Sequence, residues 1–518
     1  MLHRWTQLLW WGAVSALTLI PVEVRAGGND QPYPVGELAS TMGGAAVAII
    51  HDGASSWYNP AGLGRVTEEG ISATLSVYGL QMERTRGFVE DADLSGTTTA
   101  IFPGSLGYVK PLGASAAGMR HAVGLAVVVP DFTRHELALG EKVTDSGTGT
   151  GYELNVRARL LEETLWVVPG WGACFGSNFC VGAALHVGYW SSTGLYSIFE
   201  QYVDPANGIT AISRVSQPEY SAALLSGSMG VQWQVSNGFW LGSSLRLPAR
   251  TIWGSGRLLV VESLSDASGA NPDYVRRAAD DKMKIDQRLP LNLRLGLGFD
   301  SGGWLLAADL SLSLSQATYA SVRAGDGSDS VQPKDPNGTA VGDVIQVGKN
   351  DARNAIFNVS VGAQYRISPK TAVQGGFFTD FSGRPDALID PIHNHMNHYG
   401  VTAGLAMKGA SSTTYVGIIA ALGVGTSRGI TFDAQGDMQD KRADARSDAI
   451  YFTLGGSTRL GEAPEPRAPP SSPPPSEEVQ PASPLIAPTI APEAPKNEPA
   501  KLTPKVKHKP KAKHKTQE

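Results

Sequence analysis

The sequence predicts an all-β fold: a transmembrane, antiparallel β-barrel of 14 strands with a small N-terminal hatch in its lumen. Three observations lead there. Period-two alternation of apolar and polar residues recurs from about residue 70 to 460, with no helical block between. The connections alternate long and short, the habit of outer-membrane barrels. The chain of 518 residues is 42% hydrophobic and only 18% charged, with 60 glycines. Yet no later run reaches the roughly 20 apolar residues of a membrane helix. A chain of this kind enters lipid as a closed barrel, because only closure satisfies every backbone N–H and C=O there.

Residues 1–26 read as a signal peptide, with Arg4 at the basic end, Leu8 to Ile20 apolar, and Val24-Arg25-Ala26 for cleavage. A signal-anchor is the alternative. Residues 27–66 are the expected hatch. Met42 to Gly64 is rich in small residues, nearly uncharged and too broken by glycine for a stable surface helix, and its turn-forming Asn59-Pro60-Ala61 leads into the first long alternating run.

The barrel is assigned to 67–460. Strands are expected near 70–84, 96–110, 119–135, 150–170, 179–194, 218–236, 239–264, 280–299, 302–318, 351–367, 370–381, 396–409, 413–425 and 444–460. In Arg288 to Phe299, Leu289, Leu291, Leu293, Leu295, Leu297 and Phe299 share one face; Arg288, Asn292, Arg294, Gly296 and Gly298 share the other. A greasy face toward lipid and a polar face toward the lumen is the barrel pattern. The same rule places Asn155, Arg157 and Arg159 on a lumenal face, and His186 on the inner side of its strand. Long connections near 136–149, 195–217, 319–350 and 426–443 are expected as outer loops. Tight turns at Ser236-Asn237-Gly238, Asp300-Ser301-Gly302-Gly303 and Ser368-Pro369 put both ends of the strand domain in the periplasm. Trp166, Trp171, Trp190, Trp233, Trp240 and Trp304 fall toward strand ends, as girdle or packing residues.

Export permits a disulfide, and Cys174 and Cys180 are the two cysteines. A local bridge is predicted, with free thiols the alternative. Two cysteines without a nearby histidine do not make a metal site. The acids of the last long loop, with Asp433, Asp437 and Asp440, read as solvated, without EF-hand spacing. His393, His395 and His398 read as outer loop and barrel rim. No HExxH, nucleophile elbow or phosphate loop is present, and neither His121 nor His186 pairs with a serine by spacing, so no enzyme, cofactor or metal is expected. A net charge of −5 does not suggest a nucleic-acid partner. Residues 461–518 hold 15 of the 33 prolines and end in a Lys-rich stretch, Lys496 to Lys515, predicting a disordered periplasmic tail that is either merely solvated or touches peptidoglycan or a periplasmic protein.

Gly43-Gly44-Ala45, Asp52-Gly53-Ala54-Ser55 and Asn59-Pro60-Ala61-Gly62-Leu63 together resemble the N-terminal region of the FadL/TodX family of outer-membrane transporters for long-chain fatty acids and aromatic hydrocarbons. Val129-Pro130-Asp131-Phe132 resembles a Pro-aromatic element of that family. The resemblance spans roughly 33–460. It implies passive transport of a hydrophobic small molecule by a monomer held among outer-membrane lipid and lipopolysaccharide. It also implies a hatch gated through Gly43, Gly44, Asp52, Asn59, Pro60 and Ala61, and a kinked third strand that opens a side exit. Pro130 removes one ladder donor and is the candidate for that gap, or else marks the strand's upper end. Phe88, Phe132, Leu137, Tyr196, Ile198 and Phe199 are candidate apolar ligand contacts. Arg157 and Arg159 are candidates for a carboxylate headgroup, or else ordinary lumenal pairing partners of acids such as Asp309, Asp380 and Glu153. A general diffusion porin and a structural protein tethered by its tail are the competing functions.

Overall fold

The computed structural model describes residues 33–460 except 90, 101–103, 115–117, 145–148, 150, 207, 270–271, 390–393 and 433–437. The expected signal peptide, the tail, His393, Asp433 and Asp437 lie outside the described residues.

The chain forms β1 (Gly70–Val89), β2 (Ala92–Ala100), β3 (Ser105–Ala114), β4 (Arg120–Thr144), β5 (Gly151–Phe175), β6 (Phe179–Asp204) and β7 (Gly208–Ser236). Next come β8 (Phe239–Arg246), β9 (Ala249–Asp266), β10 (Tyr274–Ile285), β11 (Arg288–Leu289), β12 (Asn292–Asp300), β13 (Trp304–Ser313) and β14 (Gln316–Arg323). β15 (Ser330–Val331), β16 (Ile345–Gln346), β17 (Lys349–Arg353), β18 (Ile356–Ser368), β19 (Thr371–Asp380), β20 (His395–Lys408), β21 (Ser412–Phe432) and β22 (Met438–Arg459) complete the set. Among the described residues 20 strands share one sheet, and β15 and β16 make a separate ribbon. The sheet closes on itself. β22 returns to β1 in antiparallel register from Gly70↔Arg459 to Arg86↔Asp444. Closure within one chain leaves the wall no free edge, which is what lipid demands.

The outer face carries the predicted apolar band. Leu295, Leu297 and Phe299 of β12, Leu306 and Leu310 of β13, and Phe357, Val361 and Tyr365 of β18 all point out and are exposed. On β5 the band runs from Leu161 through Leu165 and Val167 to Trp171. Those ten steps from 161 to 171 measure ~34 Å along a strand, and a tilt of ~40° reduces this to ~26 Å, the height of a barrel's lipid-facing band.

Beyond the band, opposite the short turns, the strands continue. β6 and β7 stay paired to Asp204↔Gly208, so 195–217 is a strand hairpin and not a long loop. β4 and β5 likewise pair to Thr144↔Gly151, and β21 and β22 to Phe432↔Met438. The alternation there has the opposite sense. Leu154, Ala158 and Leu160 are buried inside, whereas Arg157 and Arg159 are exposed on the outer face. This corrects the lumenal placement of both arginines. Within lipid the apolar face must look outward; above it the surroundings are polar, and the apolar face turns in. Phe199 is also exposed on the outer face of β6. Trp166 and Trp190 are buried in the lumen and are not girdle residues, while Trp171, Trp233 and Trp304 are exposed on the outside.

The band makes a quantitative prediction. Leu165→Arg, near its middle, should lower unfolding stability in lipid vesicles by ~2–4 kcal/mol. Arg157→Leu, above it, should change it by less than ~0.5 kcal/mol. Urea titration followed by tryptophan fluorescence measures both.

Candidate functional site

The segment before β1 lies inside the barrel near the short-turn end. It holds α1 (Glu37–Thr41), α2 (Ser55–Tyr58) and a 3-10 helix over Pro60–Arg65. Helices this short do not hold themselves together in water. Their order comes from the wall. Asn59 shows how. Extended itself, it accepts the Ala61 N–H on Oδ1 at 3.1 Å and so caps the 3-10 helix, with Pro60 at the first position, where its missing N–H costs nothing. Its Nδ2 donates to the Val47 carbonyl at 2.8 Å and to the Val231 carbonyl of β7 at 3.0 Å. One side chain thus ties two parts of the hatch to each other and to the wall.

Other wall side chains serve hatch backbone groups. Asp309 Oδ2 of β13 accepts the N–H groups of Ala46 and Val47 at 2.6 and 2.9 Å. Gln232 Nε2 donates to the carbonyls of Val47 and Ile50 at 3.1 and 3.0 Å. Thr402 Oγ1 donates to the Thr41 carbonyl at 2.8 Å and accepts the Gly43 N–H at 3.0 Å. The Arg65 and Arg246 guanidinium groups stack over Trp240 and Trp57, each 3.8 Å from the ring centroid. Asp52 accepts the Ala54 N–H at 2.8 Å and shapes the turn into α2.

The fit is close because the wall is cut away. Gly107, Gly172, Gly182, Gly230, Gly242, Gly362 and Gly376, on β3, β5, β6, β7, β8, β18 and β19, face the hatch, and a Cβ on any of them would lie under 3.0 Å from a hatch atom. Gly43 has φ +63°, and a Cβ there would sit 2.7 Å from Phe377 N; Gly44 beside it has φ +81°. Composition shows the glycine excess but not its arrangement. The signal available in sequence was glycine on the inward face of a strand, as at Gly296 and Gly298. Asp309, Gln232 and Thr402 gave no such signal. The disulfide joins Cys174 to Cys180 across a β5–β6 pair, buried against Ala61.

Above the hatch a large aromatic and aliphatic cluster lines the lumen, together with buried charged groups that include Glu162, Arg214, Glu262 and Asp380. Trp57 lies 6.3 Å from Trp166 and 5.7 Å from His186 between ring centroids. Phe88, Leu137 and Tyr196 are buried in the same cluster, with Phe132 and Ile198 half-buried against it. Of the candidate ligand contacts these five converge; Phe199, Arg157 and Arg159 do not. His186 Nε2 meets Ser228 Oγ at 2.8 Å, a pair that spacing did not show. It is buried under two tryptophans, and His186 Nδ1 has no partner, so no acid orients it as a general base. Among the described residues no group of three His, Cys, Asp or Glu could hold a metal.

Pro130 sits where the β4–β5 register shifts, between Val128 and Asp131. On the other edge of β4 the ladder to β3 ends at Ser105↔Val128, and the next pair, with β2, is Ser95↔Ala138. By that shared register 130–132 stand opposite 101–103, which lie outside the described residues, and Val129 N–H reaches the Gly104 carbonyl at 3.2 Å. Tyr33 Oη, from the start of the hatch, donates to the Val129 carbonyl at 3.2 Å. Below the hatch, a cavity of about 550 Å³ opens among His51, Asp52, Arg65, Asp300, Lys370 and Lys408.

No protein-family model matches the sequence, and no curated protein does. Solved structures share the fold. A Pseudomonas aeruginosa FadL homologue superposes with a TM-score of 0.53 at 14% identity, covering 84% of this chain and 100% of that one. The Pseudomonas putida toluene transporter TodX gives 0.50 at 15% identity, covering 83% and 100%.

Two predictions follow from the hatch contacts. Burial raises the Glu37 carboxyl to about 8, with Asp52 adding repulsion, and burial raises Asp52 to about 6. Ser72, Ser457 and Tyr415 face Glu37 from the wall. For acids raised in the folded state, the stabilising contribution is complete below the ordinary carboxyl range and is lost as pH rises through the folded values. Amide exchange over 37–54 should therefore show less protection at pH 9 than at pH 5, after correction for intrinsic rates, and Glu37→Gln should flatten most of that difference. Independently, Asn59→Ala should cost ~1–3 kcal/mol of hatch stability, read as faster protease cleavage within 42–58 while the barrel keeps its heat-modifiable gel mobility.

Proposed function

We propose that the protein is an outer-membrane channel for passive transport of hydrophobic small molecules, of the fatty-acid or aromatic-hydrocarbon class. The observation that carries this is the combination of a corked axis and a large aromatic and aliphatic cluster within the lumen. The hatch fills the short-turn end through bonds from several strands, so a wide aqueous path is blocked, while the space above it holds an aromatic and aliphatic cluster among buried, largely paired charges. An apolar solute gains ~25 cal/mol for each Å² it removes from water, and a lumen of this character supplies that gain where a porin's would not. The toluene transporter TodX, similar in fold, supports the same reading.

In this reading the short turns and both ends of the strand domain face the periplasm, and the extended hairpins stand outside the cell. Residues 27–66 form the hatch, 67–460 the barrel, and 461–518 a periplasmic tail. Taking β2 with β3, β8 with β9, and β10 to β12 as single crossings, and leaving out β14 and β17, we read 14 crossings; closure within one chain supports a monomer. Cargo gathers at the cluster holding Phe88, Leu137 and Tyr196 and leaves sideways beside Pro130, where the β4–β5 register shifts. Gly43, Gly44, Asp52, Asn59, Pro60 and Ala61 keep the hatch seated. The diffusion porin is the weaker reading because the hatch occupies its path.

Reconstituted in liposomes, the protein should pass labelled toluene or oleate and leave sugars excluded. Pro130→Val, which restores a ladder donor and narrows the gap, should lower hydrocarbon flux several-fold without admitting sugar. Sugar permeation at open-porin rates would overturn the transport reading.

A further inference from the structure

We propose that the outer face of β1, β2, β4 and β5, just above the apolar band, binds the phosphorylated headgroup of a lipopolysaccharide molecule. The inference rests on the orientation given above, with the extended hairpins outside the cell. Five arginines gather there: Arg84 and Arg86 on β1, Arg134 on β4, and Arg157 and Arg159 on β5. Strand register sets their spacing. Arg84 pairs with Ser95, Ser95 with Ala138, and Ala138 with Arg157. Arg84 and Arg157 therefore stand three strands apart, ~14 Å, with only the small Ser95 and Ala138 between them. That row is a shallow saddle with a guanidinium at each end. Glu136 pairs with Arg159, and Arg134 with Leu161, so the other two β5 and β4 arginines lie within two rows of the saddle, on its lipid side.

The charge count leaves the saddle positive. Asp93 pairs with Arg84, and Glu136 bonds Arg134 at 2.5 Å and Arg159 at 3.4 Å. Arg86 and Arg157 are exposed and have no ion-pair partner among the described residues. On the neighbouring β22, Arg446, Asp444 and Asp448 stand opposite Arg84, Arg86 and Met82, so four carboxylates against six arginines leave two charges uncompensated. Other sectors beyond the band pair theirs: Arg257 with Glu219 at 2.6 Å and Arg428 with Asp440 at 3.5 Å. An excess of like charge in one place, 63% exposed at the Arg159 side chain, is repulsive unless an anion sits among the guanidinium groups.

The position selects the anion. Down the same face of β5 from Arg159 stand Leu161, Glu163, Leu165 and Val167, a lipid-facing row that is apolar but for Glu163. A ligand held here has its charge at the edge of the hydrocarbon and its tails along that row. Arginine forks match phosphate oxygens two at a time. A doubly phosphorylated glycolipid of the outer leaflet meets both conditions, and a saddle with arginines at both ends can engage two phosphates at once.

Full-length protein in detergent, titrated with purified lipopolysaccharide and followed by native mass spectrometry, tests this. Wild type should retain one molecule. Arg157→Ser combined with Arg159→Ser should weaken retention at least tenfold, whereas Arg257→Ser, on a charge-paired sector, should not. Dephosphorylated lipopolysaccharide and inorganic phosphate should fail to compete. Equal retention by the double variant, or equal binding of the dephosphorylated form, overturns the proposal. Equal binding of phosphatidylglycerol does so too, by showing a general anionic surface. Hydrocarbon flux of the same variants in vesicles free of lipopolysaccharide reports on transport separately, since this site is not needed there; heat-modifiable mobility on gels verifies that each variant is folded.

Discussion

A ring of backbone hydrogen bonds satisfies lipid but leaves a hole, and the rest of this molecule follows from how that hole is filled. The filling is a segment with almost no secondary structure of its own, held by wall side chains that reach its peptide groups. Asp309, Gln232 and Thr402 do what a neighbouring strand would otherwise do: they pair N–H and C=O groups in a dry interior, where leaving them alone costs ~1–3 kcal/mol each. Such bonds form only if backbone meets backbone closely. The inward glycines permit that approach, and their number explains a composition that otherwise looks like loop.

The second constraint is that a β-strand has two faces and the surroundings change along its length. Inside the band lipid lies outside, so Leu165 and Val167 face out. Past the band the outer face carries Arg157 and Arg159 while Leu154 and Leu160 turn in. One strand thereby supplies an anchoring band, apolar inward residues and a charged collar. At the level of the charged collar the inward face mixes Leu154, Ala158 and Leu160 with buried ion pairs such as Arg276–Glu262.

The weak place in the wall is local. β4 changes register against β5 at Pro130. Proline accounts for one missing donor, and the one-residue shift against β5 falls at the same place. Tyr33 reaches the same spot from the start of the hatch. The cork and the register shift are thus joined by a hydrogen bond.

Each of the 14 expected strand regions contains strand, because period two is a local property that any stretch displays without its neighbours. The hatch was legible through Asn59-Pro60-Ala61, whose cap is local as well. Short turns such as Asn237-Gly238 were legible for the same reason. What the sequence could not show was sense. Alternation says that two faces differ but not which looks inward, and that depends on whether a residue stands in lipid or above it; Arg157, Arg159 and Phe199 were misplaced on that account. Nor does spacing bring together Asn59 with Val231, His186 with Ser228, or the glycines of seven strands. Those meetings are fixed by strand register around a closed ring, which exists only once β22 has paired with β1.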